Sequence, residues 1–122
     1  MAVQSAKELT AYEKAHAMAM RVFKLSKRFS AEERFGLTSQ VRRSSGSVCN
    51  NLREAWAKHR YPSHFVSKLT DCDGVSNETG TSLDFARDSG YLTKAEHREL
   101  TAPRTEIGKM FGSMINTLPH SP

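Results

Sequence analysis

Lys7, Lys14, Arg21 and Arg28 stand at strict seven-residue spacing. On one helix such positions drift only about 20° per step, so the four cations form a single row along its length. Lys24 sits on the shoulder of that row. On the next segment Arg42, Arg53 and Arg60 project within about 20° of one another at 100° per residue, which makes a second row. The chemistry open to such rows is electrostatic. Duplex DNA carries about one negative charge per 1.7 Å of axis, so a row roughly 30 Å long could neutralise several phosphates and release their counterions. The first row lies roughly opposite the stripe Leu9, Tyr12, His16, Ala19 and Phe23, and is therefore expected to face outward while that stripe faces the core. No aromatic platform is interleaved with the basic residues, so contact with the nucleic-acid backbone is expected and sequence-specific recognition of single strands by base stacking is not. The competing reading is that these cations merely solvate two helix faces.

A second constellation is polar. Gln40, Ser47, Asn51 and Glu54 run along one shoulder of the second helical segment, beside Ser44 and Gly46. Small and polar residues there allow a close helix approach satisfied by hydrogen bonds, within the molecule or between subunits. Trp56 falls off the centre of its stripe and is the aromatic anchor expected at a subunit contact. Tyr12, Phe23, Phe65, Phe85 and Phe111 read as core.

Other chemistry finds no support. His16 and His59 lie on inward stripes, and His64, His97 and His120 lack metal-ligand spacing. Cys49 and Cys72 have no Cys-x-x-Cys partner and read as small buried hydrophobes. Asp71-Cys72-Asp73-Gly74 is a poor calcium loop, because Val75 takes the next ligand position and the glycine comes too early. No nucleophile motif or phosphate loop is present, so a non-enzymatic protein without metal or cofactor is expected.

The charge balance agrees with a polyanion partner. Residues 1–60 hold 12 basic and 5 acidic side chains, and residues 61–122 hold 6 and 8, so the net +5 is a first half at +7 beside a second at −2. No apolar run approaches the roughly 20 residues needed to cross a bilayer, no basic-then-apolar secretion signal opens the chain, and two cysteines make no disulfide scaffold. A cytoplasmic, globular single domain is the expectation for 122 residues.

Four helices must position these groups. The first, over about residues 6–28, carries the Leu9 to Ser26 stripe. The second, about 31–59, opens on Ser30-Ala-Glu-Glu33 as a capping box with Phe29 as its staple, and carries Leu37, Val41, Ser44, Val48, Leu52, Ala55 and His59 inward. Pro62 closes that segment. The third, about 63–89, has Ser63 as its cap, buries Phe65, Leu69, Cys72, Ser76, Thr79, Leu83 and Ala86, and ends at Gly90 in a left-handed turn. Gly74 and Gly80 weaken its middle by about 1 kcal/mol each relative to Ala. The fourth, about 93–118, opens on the capping box Thr93 to Glu96 and buries Leu100, Ile107, Met110, Phe111, Met114 and Leu118, with a kink or delayed start expected at Pro103. Short connections make neighbours antiparallel, giving an all-α, up-down-up-down four-helix bundle.

Glu33-Arg-Phe-Gly-Leu-Thr-Ser-Gln40, Val41-Arg-Arg43, Ser47 with Asn51 and Glu54, Phe65, Gly74 with Glu78, and Gly90-Tyr91-Leu92 together resemble a bacterial four-helix-bundle family. That family was first associated with reading frames inside intervening sequences of 23S ribosomal RNA genes, and the resemblance covers about residues 9–118. It implies an antiparallel bundle assembled as a homopentameric ring and associated with RNA or DNA. A related branch comprises accessory proteins of diversity-generating retroelements, basic pentamers that partner a reverse transcriptase. Five copies of a +5 chain would carry roughly +25, enough to attract polyanions without base-specific contact. The alternative is a protein–protein interaction scaffold whose basic charge is incidental.

Overall fold

A computed structural model describes the backbone of residues 2–116 and the side chains of residues 9–116. Four helices follow in order, α1 (Ala2–Ser26), α2 (Leu37–Ala57), α3 (Pro62–Asp88) and α4 (Lys94–Asn116), with one 3₁₀ turn at Ala31–Glu33. α1 and α3 each pack against both α2 and α4, so they occupy opposite corners of a bundle. Contacts between neighbours run in opposite chain directions, Lys14 with Glu106 and Arg28 with Glu96, Cys72 with Val48 and Thr79 with Ser44. The all-α antiparallel bundle is as the periodicity predicts.

Two apolar clusters fill the interior end to end. One gathers Ala11, Ala15, Val48, Leu52, Phe65, Leu69, Ile107, Phe111 and Met114; the other gathers Met18, Val22, Leu25, Phe29, Val41, Leu83, Leu92 and Leu100. In the α2–α3 contact the buried Thr79 hydroxyl lies 2.9 Å from Ser44 Oγ and 2.9 Å from the Val75 carbonyl, so this polar pair is satisfied in place.

The helix ends separate what local chemistry settles from what packing overrides. Thr93 and Glu96 form the reciprocal box, with the Glu96 amide donating to Thr93 Oγ1 (3.1 Å) and the Thr93 amide to Glu96 Oε1 (2.9 Å). Gly90 adopts φ +83°, and the amides of Tyr91 and Leu92 turn back to Ala86 O. The Ser30 box does not form. Ser30 Oγ accepts only from the Glu32 amide (3.3 Å), while the Glu33 carboxylate accepts from the Tyr91 hydroxyl (3.1 Å). A helix expected from residue 31 therefore begins at Leu37, after one 3₁₀ turn. α3 starts at Pro62 with Tyr61 extended before it, because proline's fixed φ suits the first helical position; Ser63 is not the cap. Pro103 neither delays nor ends α4, since buried Leu100 and Ile107 hold the helix to the core on either side of it.

α1 is rotated from its expected setting. Its buried residues are Ala11, Ala15, Met18, Val22 and Leu25, a face about 120° from the Leu9–Phe23 stripe at 100° per residue. Leu9, Met20 and Phe23 lie exposed on the outer side, His16 is exposed, and Tyr12 and Ala19 only border the core. Phe23 (46% exposed) and Phe85 (63%) are surface residues where core positions were expected, whereas Phe65 and Phe111 are buried as anticipated. Among the described residues, no helix is long and apolar enough to cross a membrane.

Candidate nucleic-acid interface

Rotation of α1 brings its basic row to the flank that meets α4. Lys14 Nζ lies 2.7 Å from Glu106 Oε2, Arg21 holds Glu99, and Arg28 Nη2 lies 2.6 Å from Glu96 Oε1. The seven-residue spacing thus matches a row of glutamates on the antiparallel neighbour. These pairs leave their mark on the acids. Arg28, then the Thr93 amide, hold the Glu96 carboxyl down at about 2, and Lys14 lowers that of Glu106. The Glu99 hydrogen bond likewise raises Arg21. Lys7's side chain falls outside the described residues.

The second row faces the other way. Arg53 sits over the Tyr12 ring at 4.4 Å, and Arg42 sits over Phe23 at 4.5 Å with its Nε donating to Ser26 Oγ (2.8 Å). Arg60 and Lys24 are exposed, and among the described residues none of Lys24, Arg42, Arg53 or Arg60 has a carboxylate partner. Lys27, 5.2 Å from the Phe23 ring centre, and exposed Arg34 and Arg43 extend the same unpaired set. The sequence reading missed these three, although the Arg42-Arg43 doublet and the Arg34-Phe35 pair ahead of α2 were its available signals.

Aromatic rings do interleave with cations here, contrary to the sequence expectation. Phe35, 89% exposed, lies 5.4 Å from the Arg34 guanidinium, and Phe23 lies between Lys27 and Arg42. The reason is the α1 rotation, which moves Phe23 from the expected core to the edge shared with α2.

The polar shoulder of α2 looks toward α3 and solvent. Gln40 is exposed, Ser47 and Asn51 are half-buried, and Asn51 Nδ2 donates to Ser47 O (3.0 Å) within its own helix. Glu54 crosses to α3, where Lys68 Nζ at 2.6 Å lowers its carboxyl. Trp56 is half-buried and stacks flat on His59, ring centres 4.0 Å apart.

Cys49 and Cys72 are buried and outside any disulfide, and burial pushes the Cys49 thiol up, with Arg53 opposing. Among the described residues, no three His, Cys, Asp or Glu side chains group to hold a metal.

The same four-helix arrangement is found in a protein of unknown function from the S23 ribosomal protein family of Bacteroides thetaiotaomicron. That structure has a TM-score of 0.81 and 28% identity over 91% of this chain and 99% of its own. No curated protein matches the chain significantly. The model of the family described as 23S rRNA-intervening sequence protein matches residues 7–113. Since that match spans nearly all of α1 to α4, the chain belongs to the 23S rRNA-intervening sequence protein family.

Proposed function

We propose that this protein is a non-enzymatic, self-assembling bundle that associates with RNA or DNA through the phosphate backbone, using the α1–α2 face. One observation carries the reading: Lys24, Arg42, Arg53 and Arg60 have no carboxylate partner among the described residues, whereas Lys14, Arg21 and Arg28 are each paired to α4. Unpaired surface cations can exchange their counterions for phosphates; paired ones must first give up a glutamate. The proposal therefore moves the principal contact from the heptad row to the face beside it.

Self-assembly as a homopentamer is the second part. It is supported by the resemblance to ring-forming relatives and by Leu9, Met20 and Phe23, which expose an apolar row on the outer side of α1. The polar shoulder Gln40, Ser47, Asn51 and Glu54, with Trp56, supplies a second surface for a neighbouring copy.

The triple reversal Arg42→Glu, Arg53→Glu and Arg60→Glu tests the contact. Against mixed-sequence RNA and duplex DNA, the slope of log affinity on log salt should fall by about 2 or more, since each lost phosphate contact removes about 0.7–0.9. Lys14→Glu with Arg21→Glu should instead lower the urea midpoint and leave binding by the folded protein intact. Equal loss of binding in both variants would return the contact to the α1 row. No binding by the parent at physiological salt would favour the scaffold reading, in which the partner is another protein.

A further inference from the structure

At the start of α2 the backbone offers donors that find no acceptor among the described residues. Gly36 is the cap residue and supplies no side chain, and the first helical bond runs from the Gln40 amide to Gly36 O (2.9 Å). The amides of Leu37, Thr38 and Ser39 are thus without an intrahelical acceptor or a capping side chain. Beside them lies a shallow depression of about 550 Å³ lined by Arg34, Phe35, Thr38, Ser39, Arg42 and Arg43.

Thr38 is the independent sign of a ligand. It is the one buried member of that lining, only 9% exposed, and among the described residues its hydroxyl forms no hydrogen bond. An oxygen-rich group in the depression would give that hydroxyl a partner to donate to. The cations suit that group. Among the described residues Arg34 and Arg43 have no carboxylate partner, and Arg42, held by its Nε on Ser26 and by its stacking on Phe23, makes no hydrogen bond through its terminal nitrogens. The nearest acid in sequence, Glu33, does not line the depression and is engaged by the Tyr91 hydroxyl.

We propose that this depression is a phosphate-binding site, which takes one phosphodiester of a nucleic-acid strand on Arg34, Arg42, Arg43, the Thr38 hydroxyl and the first amides of α2, while an adjacent base stacks on Phe35. Helix-terminal amides and the helix dipole favour an anion there. Phe35 offers the flat apolar face that single-stranded bases use irrespective of sequence. The proposal rests on the nucleic-acid reading above and narrows it to an unpaired strand at one end of the α1–α2 face.

Amide spectra of the ¹⁵N-labelled full chain provide the test, with inorganic phosphate, a short oligothymidylate ending in a 5′-hydroxyl, and the same oligomer with a 5′-phosphate as separate probes. Phosphate should shift the Leu37, Thr38 and Ser39 amides saturably, while chloride at equal ionic strength should not. Both oligomers should shift the same amides with equal affinity if an internal phosphodiester is the ligand; binding only by the 5′-phosphorylated one overturns that source. Phe35→Ala should weaken the oligomers on the order of tenfold and leave inorganic phosphate unchanged. Thr38→Val, which keeps the buried shape, and Arg34→Gln with Arg43→Gln should weaken all three probes. Should the oligomers bind without moving these amides, the site is wrong and the wider nucleic-acid reading stands. Saturation by phosphate with no oligomer binding overturns both the strand assignment and that wider reading.

Discussion

Glu96 shows how one side chain can serve two elements. Its Oε1 accepts from the Thr93 amide, which caps α4, and from Arg28, which ties the end of α1 to the start of α4. Because its folded carboxyl lies at about 2, below the ordinary 4.5, the stability it contributes is fully present above pH 4.5 and is lost as the pH falls toward 2. Glu106 and Glu54, lowered by Lys14 and Lys68, act in the same direction. Glu96→Gln should therefore reduce the urea midpoint at pH 6 and show a smaller further drop between pH 6 and pH 2.5 than the parent. Parallel pH curves for parent and variant would mean that Glu96 titrates alike in the folded and unfolded chain. At this scale the sequence was partly legible. The Thr93 box was visible as a local pattern, but the partners of Arg28 and Lys14 are more than 60 residues away in the chain.

The two weak points of α3 have different physical characters, which their shared residue type conceals. A Cβ at Gly74 would meet nothing within 4 Å, whereas one at Gly80 would come within 2.5 Å of the Arg104 guanidinium. That guanidinium crosses α3 over the gap left by the missing side chain, with Nε donating to Ser76 O (2.6 Å) and Nη2 to Asn77 Oδ1 (3.0 Å). Gly74→Ala should raise stability by up to about 1 kcal/mol, the ordinary helix preference for Ala. Gly80→Ala should gain less or lose, since it displaces Arg104, and should become favourable by about that amount in an Arg104→Ala background. Chemical denaturation of the four proteins decides it; equal effects of Gly80→Ala in both backgrounds would deny Arg104 its place. The sequence marked both glycines as costs to the helix, and only the position of α4 gives Gly80 a use.

Across the whole molecule, part of the charge asymmetry closes on itself. Three cations of the +7 half face three glutamates of the −2 half along the α1–α4 flank, while the cations of the α1–α2 face stay without carboxylate partners among the described residues. An assembly of five such chains would present that face repeatedly and raise avidity for a long polyanion. Light scattering should then give about five times the 13.7 kDa chain mass. Leu9→Glu with Met20→Glu should lower the mass if the outer row of α1 lies between copies. A parent that stays monomeric at high concentration removes the ring from the proposal.

The four helices, the inward stripe of α2 from Val41 to Ala55 and that of α3, the Thr93 box and the Gly90 turn were determined by the sequence alone, because each depends on spacing or chemistry within a few residues; His59, expected on the α2 stripe, lies half-buried beyond the end of that helix. The setting of α1 about its axis was not. That helix carries two apolar stripes, one with the rings of Tyr12, His16 and Phe23 and one of Ala11, Ala15, Met18, Val22 and Leu25. Both repeat at helical spacing, and the second is the one buried against the other helices. Choosing between the stripes needs α2 and α4 in place, and with that choice went the fate of the heptad row, the exposure of Phe23 and the location of the unpaired cations. Only tertiary packing decided those, since an ion pair between residues 14 and 106 has no signature in either segment taken by itself.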